Sequence, residues 1–258
     1  MAIIKGKFIT GTAGGNVYKK YRNSQVVTAL PHFFPEKMTV PTKNAAATFG
    51  KASKLAGWIR ACLSNVVTPN YDGTAVYRLN TDVLSCLNRA KNAADQTYDF
   101  SPDSFEGLAG FEFNVHSPMR YQFLAKPIID TSETKLLVTF PEMNAPDELR
   151  FPKNIKNCKI LSNTIMVDLQ HGRIRSCTPA SLDVSYAFPS SVIPAHTFEF
   201  DIIPGVLCIV GFSLQYFEDT FAGNFYVNSK SFNPSAILYA RKAAGEVDAE
   251  QTKNFSRI

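Results

Sequence analysis

Hydrophobic and polar positions change their spacing near residue 100. Beyond that point the period is two. Residues 181–188 carry Leu182, Val184, Tyr186 and Phe188 on alternate positions, and residues 197–202 repeat the pattern with Phe198, Phe200 and Ile202. The stretches KLLVTF, NTIMVDL, VLCIVGFSLQYF, GNFYV and AILYARK read as further strands. Breaks rich in Pro, Gly, Asn and Asp separate them (DTSET, PEMNAPDE, LSN, HGR, PSSVIPAH, IIPG, FAGN, NPS), as turn chemistry requires. Many short strands at this spacing predict an antiparallel β-sandwich, jelly-roll-like, over residues 100–244. Residues 245–258 are polar, and a polar tail is expected to fray.

Before residue 100 the spacing is helical in two places. Phe49, Ala52, Leu55, Ala56, Ile59 and Leu63 form one apolar stripe, with Pro41 suited to the first turn. Val76, Leu79, Val83, Leu84, Leu87 and Ala90 form a second, and the turn TPNYDG between them predicts an antiparallel helix pair. On the first helix Lys43, Lys51, Lys54 and Trp58 share an outward arc of about 80° at 100° per residue. Residues 2–10 read as a strand, GTAGGN as a turn, and NVYKKYRNSQVVTAL as one or two short strands broken at Arg22-Asn23-Ser24. Together they predict a β-hairpin arm, marginal by itself and in need of something to pack on. PHFFPEKMTVP reads as a proline-punctuated linker. The expected fold is α+β, mainly β: hairpin arm and helix pair in residues 1–99, sandwich in 100–244, tail in 245–258.

Composition adds little to this picture and charge adds much. The chain has 258 residues, 45% hydrophobic and 19% charged, which is globular and sufficient for a full core. Its five cysteines are odd in number and widely spaced, with no C-x-x-C, so free thiols in a reducing compartment are expected rather than disulfides or zinc. MAIIKGKFIT carries no signal-peptide pattern, and the longest apolar run, near residues 206–210, is far short of a membrane span. The expected location is the cytoplasm or an assembled particle. Residues 1–60 hold ten Lys and Arg against Glu36 alone, a net +9, and the remainder carries −4. A basic end of this kind seeks nucleic acid, a membrane surface or an acidic protein surface.

Candidate chemistry is sparse. A phosphate-binding glycine loop must open a helix whose amides face the phosphates, whereas GTAGGN opens into strand-like Val17-Tyr18-Lys19-Lys20-Tyr21. Basic residues interleaved with aromatics can hold a single strand of nucleic acid. In a strand, however, Tyr18 and Lys20 point one way and Lys19 and Tyr21 the other, so the two rings make no common platform. His32, His116, His171 and His196 have no His or Cys at ligand spacing, and His171-Gly172 reads as a turn. Gly-x-Ser-x-Gly is absent, and Ser-x-x-Lys occurs only at Ser132–Lys135 in a turn. Asp183, Glu199 and Asp201 fall on outward strand positions, where a solvated face is a simpler account than a glycosidase carboxylate pair. No catalytic residue, cofactor or metal is expected.

The opening MAIIKGKFITGTAGGNVYKKYRN, with TFGKASKLAGWIR and the closing VLCIVGFSLQYFED and FNPSAILYARKA, resembles an uncharacterised bacterial protein family. Its members have a glycine-bearing hairpin, a small-residue helix and a β-rich C-terminal half. The resemblance implies architecture and no activity. The plan of basic arm, helix pair and sandwich is also similar to that of phage-type or tube-forming structural subunits. The function expected is a non-enzymatic subunit that self-associates head-to-tail into a tube, filament or ring, with Ile3, Ile4, Phe8, Val17, Tyr18, Tyr21 and Val26 in contact and Lys19, Lys20 and Arg22 meeting acids. The alternative is nucleic-acid binding through Lys19, Lys20, Arg22, Lys43, Lys51, Lys54 and Trp58. A carbohydrate-binding sandwich with exposed Tyr and Trp is a third reading, against which the missing secretion signal counts.

Overall fold

A computed structural model describes residues 1–21, 23–31, 38–67 and 70–258, so Arg22, His32 and most of the expected linker lie outside the described residues. The chain divides into two units, Met1–Asn44 and Ala45–Ile258. The fold is α+β and mainly β, with the β-rich half where the period-two pattern predicts it.

The first unit is a four-stranded antiparallel meander in sequence order, β1 (Ala2–Lys5), β2 (Phe8–Ala13), β3 (Asn16–Tyr21) and β4 (Ser24–Ala29). The expected hairpin is therefore its central turn. Residues 2–10 do not run as one strand, because the chain reverses at Gly6-Lys7 and Lys5 pairs with Phe8. Helix α1 (Val40–Cys62) follows, with Pro41 in its first turn and the Thr42 amide donating to the Thr39 hydroxyl at 3.4 Å. Then come α2 (Ser64–Val67), α3 (Ala75–Ala90) and α4 (Met119–Gln122).

The strands of the second unit are β5 (Ile128–Thr131), β6 (Lys135–Phe140), β7 (Met143–Ala145), β8 (Asn157–Asp168), β9 (Arg173–Ser176), β10 (Ala180–Ser185), β11 (Ser191–Ile193), β12 (His196–Asp201), β13 (Leu207–Thr220), β14 (Gly223–Tyr226), β15 (Ser235–Lys242) and β16 (Ser256–Arg257). Two long strands, β8 and β13, pair antiparallel from Leu207↔Val167 to Phe217↔Asn157. β9 and β10 flank β8, β14 and β15 flank β13, and β16 joins β9, which completes a seven-stranded sheet. A three-stranded sheet, β12-β6-β5, faces it.

Alternation in the long strands sorts the core into two sides. Even positions (Cys158, Ile160 and Met166 of β8; Cys208, Val210, Phe212, Leu214 and Tyr216 of β13) pack with Leu136, Val138, Phe140, Phe198 and Phe200 of the small sheet. Odd positions (Ile165, Val167, Leu207, Ile209) pack with Ala52, Leu55 and Ile59 of α1, with Leu63 just beyond its end, and with Leu79 and Val83 of α3. From Ala45 onward the helices therefore fall in the same unit as the β-rich half. Covered on both faces over residues 162–167 of β8 and 207–214 of β13, the two strands are buried there at consecutive positions instead of alternating.

Two details fix the helices on the sheet. Gly211 lies under Leu63, whose side chain a Cβ there would meet at 2.6 Å. The last carbonyls of α1 and α2, which have no partner within a helix, accept from side chains of the β-rich half: Cys62 O from Asn163 (3.4 Å) and Ser176 (3.3 Å), Val66 O from Ser213 (2.6 Å), and Val67 O from Asn233 (2.9 Å), in the loop before β15. Residues 245–258 do not fray. Phe255 is buried, Thr252 donates to Asp168 at 2.6 Å, Arg173 donates to Ala249 O at 2.8 Å, and β16 pairs with β9.

Candidate assembly surface

The N-terminal sheet carries most of the residues singled out in the sequence. Opposite partners share a face, and the register of β3 with β4 matches Lys19 with Val26, Tyr18 with Val27 and Lys20 with Gln25. Val17, Lys19 and Val26 therefore line one face, and Tyr18, Lys20 and Val27 the other. β2 pairs with β3 only as far as Gly11↔Tyr18. Beyond it the Gln25 side chain replaces a peptide: Ile9 N–H donates to Gln25 Oε1 at 2.8 Å, and Gln25 Nε2 donates to Ile9 O at 3.0 Å.

Phe8 is the one buried side chain among the described residues of this unit, 8% exposed, with the Lys7 and Lys20 ammonium groups 5.5 and 4.8 Å from its ring centroid. It was expected on a contact surface. Instead it is the buried centre of the sheet, with two lysine ammonium groups over its ring. Ile3 (58% exposed), Ile4 (75%) and Tyr21 (57%) are open to solvent, whereas Val17, Tyr18 and Val26 are half-buried. Ile9, Val27 and Leu30 are exposed as well, and the sequence reading missed them. Ile9 faces Ile4 across β1–β2, a pairing legible only once the Gly6 turn is known. Lys19 and Lys20 are exposed, and Arg22 lies outside the described residues. β1 and β4 form the two edges, each with one side on which no described strand pairs.

The glycine turn has the geometry of a hairpin tip. Ala13 pairs with Asn16, and Gly14 and Gly15 between them take φ +58° and +76°, both in the left-handed region that a two-residue type I′ turn requires. The chain leaves it as strand β3, so its amides do not head a helix. Gly11, at φ +109°, lies so close to Met1 that a Cβ would collide with the Met1 carbonyl oxygen. β1 can pair there only against a residue without a side chain.

Of the helical basic face, Lys43, Lys51 and Lys54 are exposed. Trp58 is half-buried against the apolar cluster beneath α1. The Lys51 ammonium stands 4.6 Å from the Tyr98 ring centroid.

The remaining constellations are structural. Ser132 bonds the Lys135 main chain, and the Lys135 ammonium pairs with Glu199, which raises its pKa, so no Ser–Lys dyad forms. Asp183 pairs with Lys159 at 3.5 Å on the sheet surface. All five cysteines are free. Burial pushes the Cys177 thiol up to about 11 and Cys208 to about 12, which keeps both protonated and unreactive at neutral pH. His196 stands edge-on to Phe198, and His171 closes the β8–β9 turn. Among the described residues no three His, Cys, Asp or Glu side chains gather as a metal site, and no helix is long and apolar enough to cross a membrane. One ion pair, between the half-buried Arg78 and the buried Asp72, has no precursor in the sequence reading. Asp72 accepts from the Thr74 amide and hydroxyl (2.6 Å each), from Arg78 (2.5 Å) and from the Val115 amide (3.1 Å).

Comparison with protein-family models, with curated proteins and with solved structures found no match.

Proposed function

We propose that the protein is a non-enzymatic structural subunit that assembles with copies of itself through its N-terminal sheet, giving a tube, filament or ring. One observation carries the reading. The sheet of residues 2–29 buries a single described side chain, leaves both edges unpaired among the described strands, and exposes Ile3, Ile4, Ile9 and Val27. Unprotected edges of this kind are templates for another strand. Residues 1–31 contain five Lys and Arg and no acid, while residues 61–258 carry net −4, so one copy's N-terminal sheet complements the stretch of the next copy that lies beyond residue 60. A contact between two different patches is heterologous, and it repeats into a closed ring or an open helix. The likeness of plan to tube-forming subunits supports the same reading.

The test is particle size by light scattering and negative-stain microscopy across a salt series. Assemblies should form at low salt and shrink as salt screens the contact. A monomer at every protein and salt concentration would end the proposal. Lys19, Lys20, Lys51 and Lys54, all exposed, also keep nucleic acid in view as the partner. In that case added oligonucleotide, not added protein, would drive the change in size, and affinity would fall linearly on a log–log salt plot.

A further inference from the structure

The hairpin of β13 and β14 runs out past the sheet that carries it. β8 pairs with β13 only as far as Phe217↔Asn157, so residues 218–226 have no third strand beside them among the described residues. They continue as a two-stranded ribbon, from Glu218↔Phe225 to Thr220↔Gly223, closed by Phe221-Ala222. All of residues 218–226 are exposed. Of the second unit's described strands longer than two residues, β14 alone is exposed throughout. Phe221, Phe225 and Tyr226 stand in solvent there, and grouped exposed aromatics mark a surface that a partner covers.

Charge selects the partner. The register puts Phe225 on the ribbon face of Glu218 and Tyr226 on the opposite face with Asp219, so each face carries one ring and one acid. Neither acid has an ion-pair partner among the described residues, and Asp219 accepts from the neutral side-chain amide of Asn157 at 2.9 Å. Lys159, the first lysine of β8, pairs with Asp183 instead, and Lys156 just before that strand pairs with neither acid. Residues 205–229 contain these two acids and no Lys or Arg. β1 of the N-terminal sheet is the counterpart. It has the same four-residue length and one edge on which no described strand pairs. It presents exposed Ile3 and Ile4 on opposite faces, with exposed Lys5 at its end and Lys7 in the following turn. Two β14 edges brought together would gather four carboxylates, and two β1 edges would gather lysines. β1 against β14 sets β-branched side chains against aromatic rings and cations near acids.

We infer that the outer edge of β14 receives β1 of another copy as an added strand, with Ile3 and Ile4 against Phe225 and Tyr226 and Lys5 near Glu218 and Asp219. The inference rests on assembly through the N-terminal sheet and names the surface that receives it. Cross-linking at low salt tests it. The full chain carrying Ile4→Cys is mixed with the full chain carrying Phe225→Cys and treated with a short bismaleimide. The mixture should give about tenfold more cross-linked dimer than either variant alone or the native chain, because docking holds the two thiols at high effective concentration. The two substitutions sit on different chains, so a sheet folded back on its own chain yields no such product. Phe225→Ser with Tyr226→Ser should raise the protein concentration needed for particles about tenfold or more, and Tyr77→Ser, which removes an exposed ring on α3, should leave it unchanged. If native particles form but the mixture gives no excess dimer, or the double serine variant assembles as before, the inference is overturned and assembly stands. Phe225→Cys alone cross-linking as well as the mixture would also overturn it, since like hairpins would then be meeting. A native chain that stays monomeric removes the assembly reading and this inference with it.

Discussion

Asp72 ties the head of α3 to a loop forty residues downstream. Burial alone would raise its pKa. The Thr74 hydroxyl and amide, the Val115 amide and Arg78 outweigh that and hold it at about 2, below the ordinary 3.8. A group whose folded pKa is depressed stabilises the fold above its unfolded pKa and loses that contribution as pH falls through the folded one. Asp72→Asn should therefore be less stable than the native protein at neutral pH, and urea midpoints of the two should converge between pH 4 and pH 2. Gly211 makes a steric counterpart. Gly211→Ala should cost about 1–3 kcal/mol in urea unfolding because the new methyl has to displace Leu63. Adding Leu63→Ala should cost less than the sum of the separate changes, since the second substitution vacates the space the first one needs. Neither position was legible in the sequence. TPNYDG reads as a turn whatever Asp72 binds, and a glycine within VLCIVGFSLQYF reads only as a weak strand residue. Their partners, Val115 and Leu63, are fixed by tertiary contact.

Among the elements, legibility followed local chemistry. The Gly14-Gly15 turn was readable because two adjacent residues with positive φ suit little else. The Gly6-Lys7 reversal was not, since IIKGKFIT reads equally well as one strand. The α1 stripe was right except at its start: Thr48 is buried and Phe49 is 53% exposed. At 100° per residue Thr48 falls near the middle of the arc through Leu55, Ile59 and Ala52, and Phe49 falls at its edge, so position on the helix outweighs side-chain character. In the N-terminal sheet one ring, Phe8, supplies the apolar centre among the described residues. Phe8→Ser removes its one described buried side chain, and a meander without an apolar centre is below the threshold of independent stability. Hydrogen exchange should show residues 2–29 losing protection while β8 and β13 keep theirs, because the apolar clusters that bury them are built from residues of the second unit.

At the scale of the molecule, the electrical asymmetry was plain in the sequence, and the layering was not. Alternation foretold strands facing a core. That β8 and β13 are covered on both sides followed only from the helices lying on the sheet. The apolar stretches within the two strands do not say what covers either face. Charge also sets the clearest expectation for assembly. If like-signed N-terminal sheets meet opposite-signed surfaces, Lys19→Glu with Lys20→Glu should abolish the large particles seen at low salt, while circular dichroism still reports a folded chain.

The pairing of β8 with β13 has a further bearing on how the polypeptide is made. During synthesis β8 emerges roughly forty residues ahead of the strand that will lie beside it, with both of its apolar sides bare in the interval. Nascent chains halted between residues 170 and 206 should therefore be the most adhesive stage of biogenesis, sedimenting with ribosomes or captured by chaperones. Chains carried past residue 220 should be released from that hazard as the central ribbon closes.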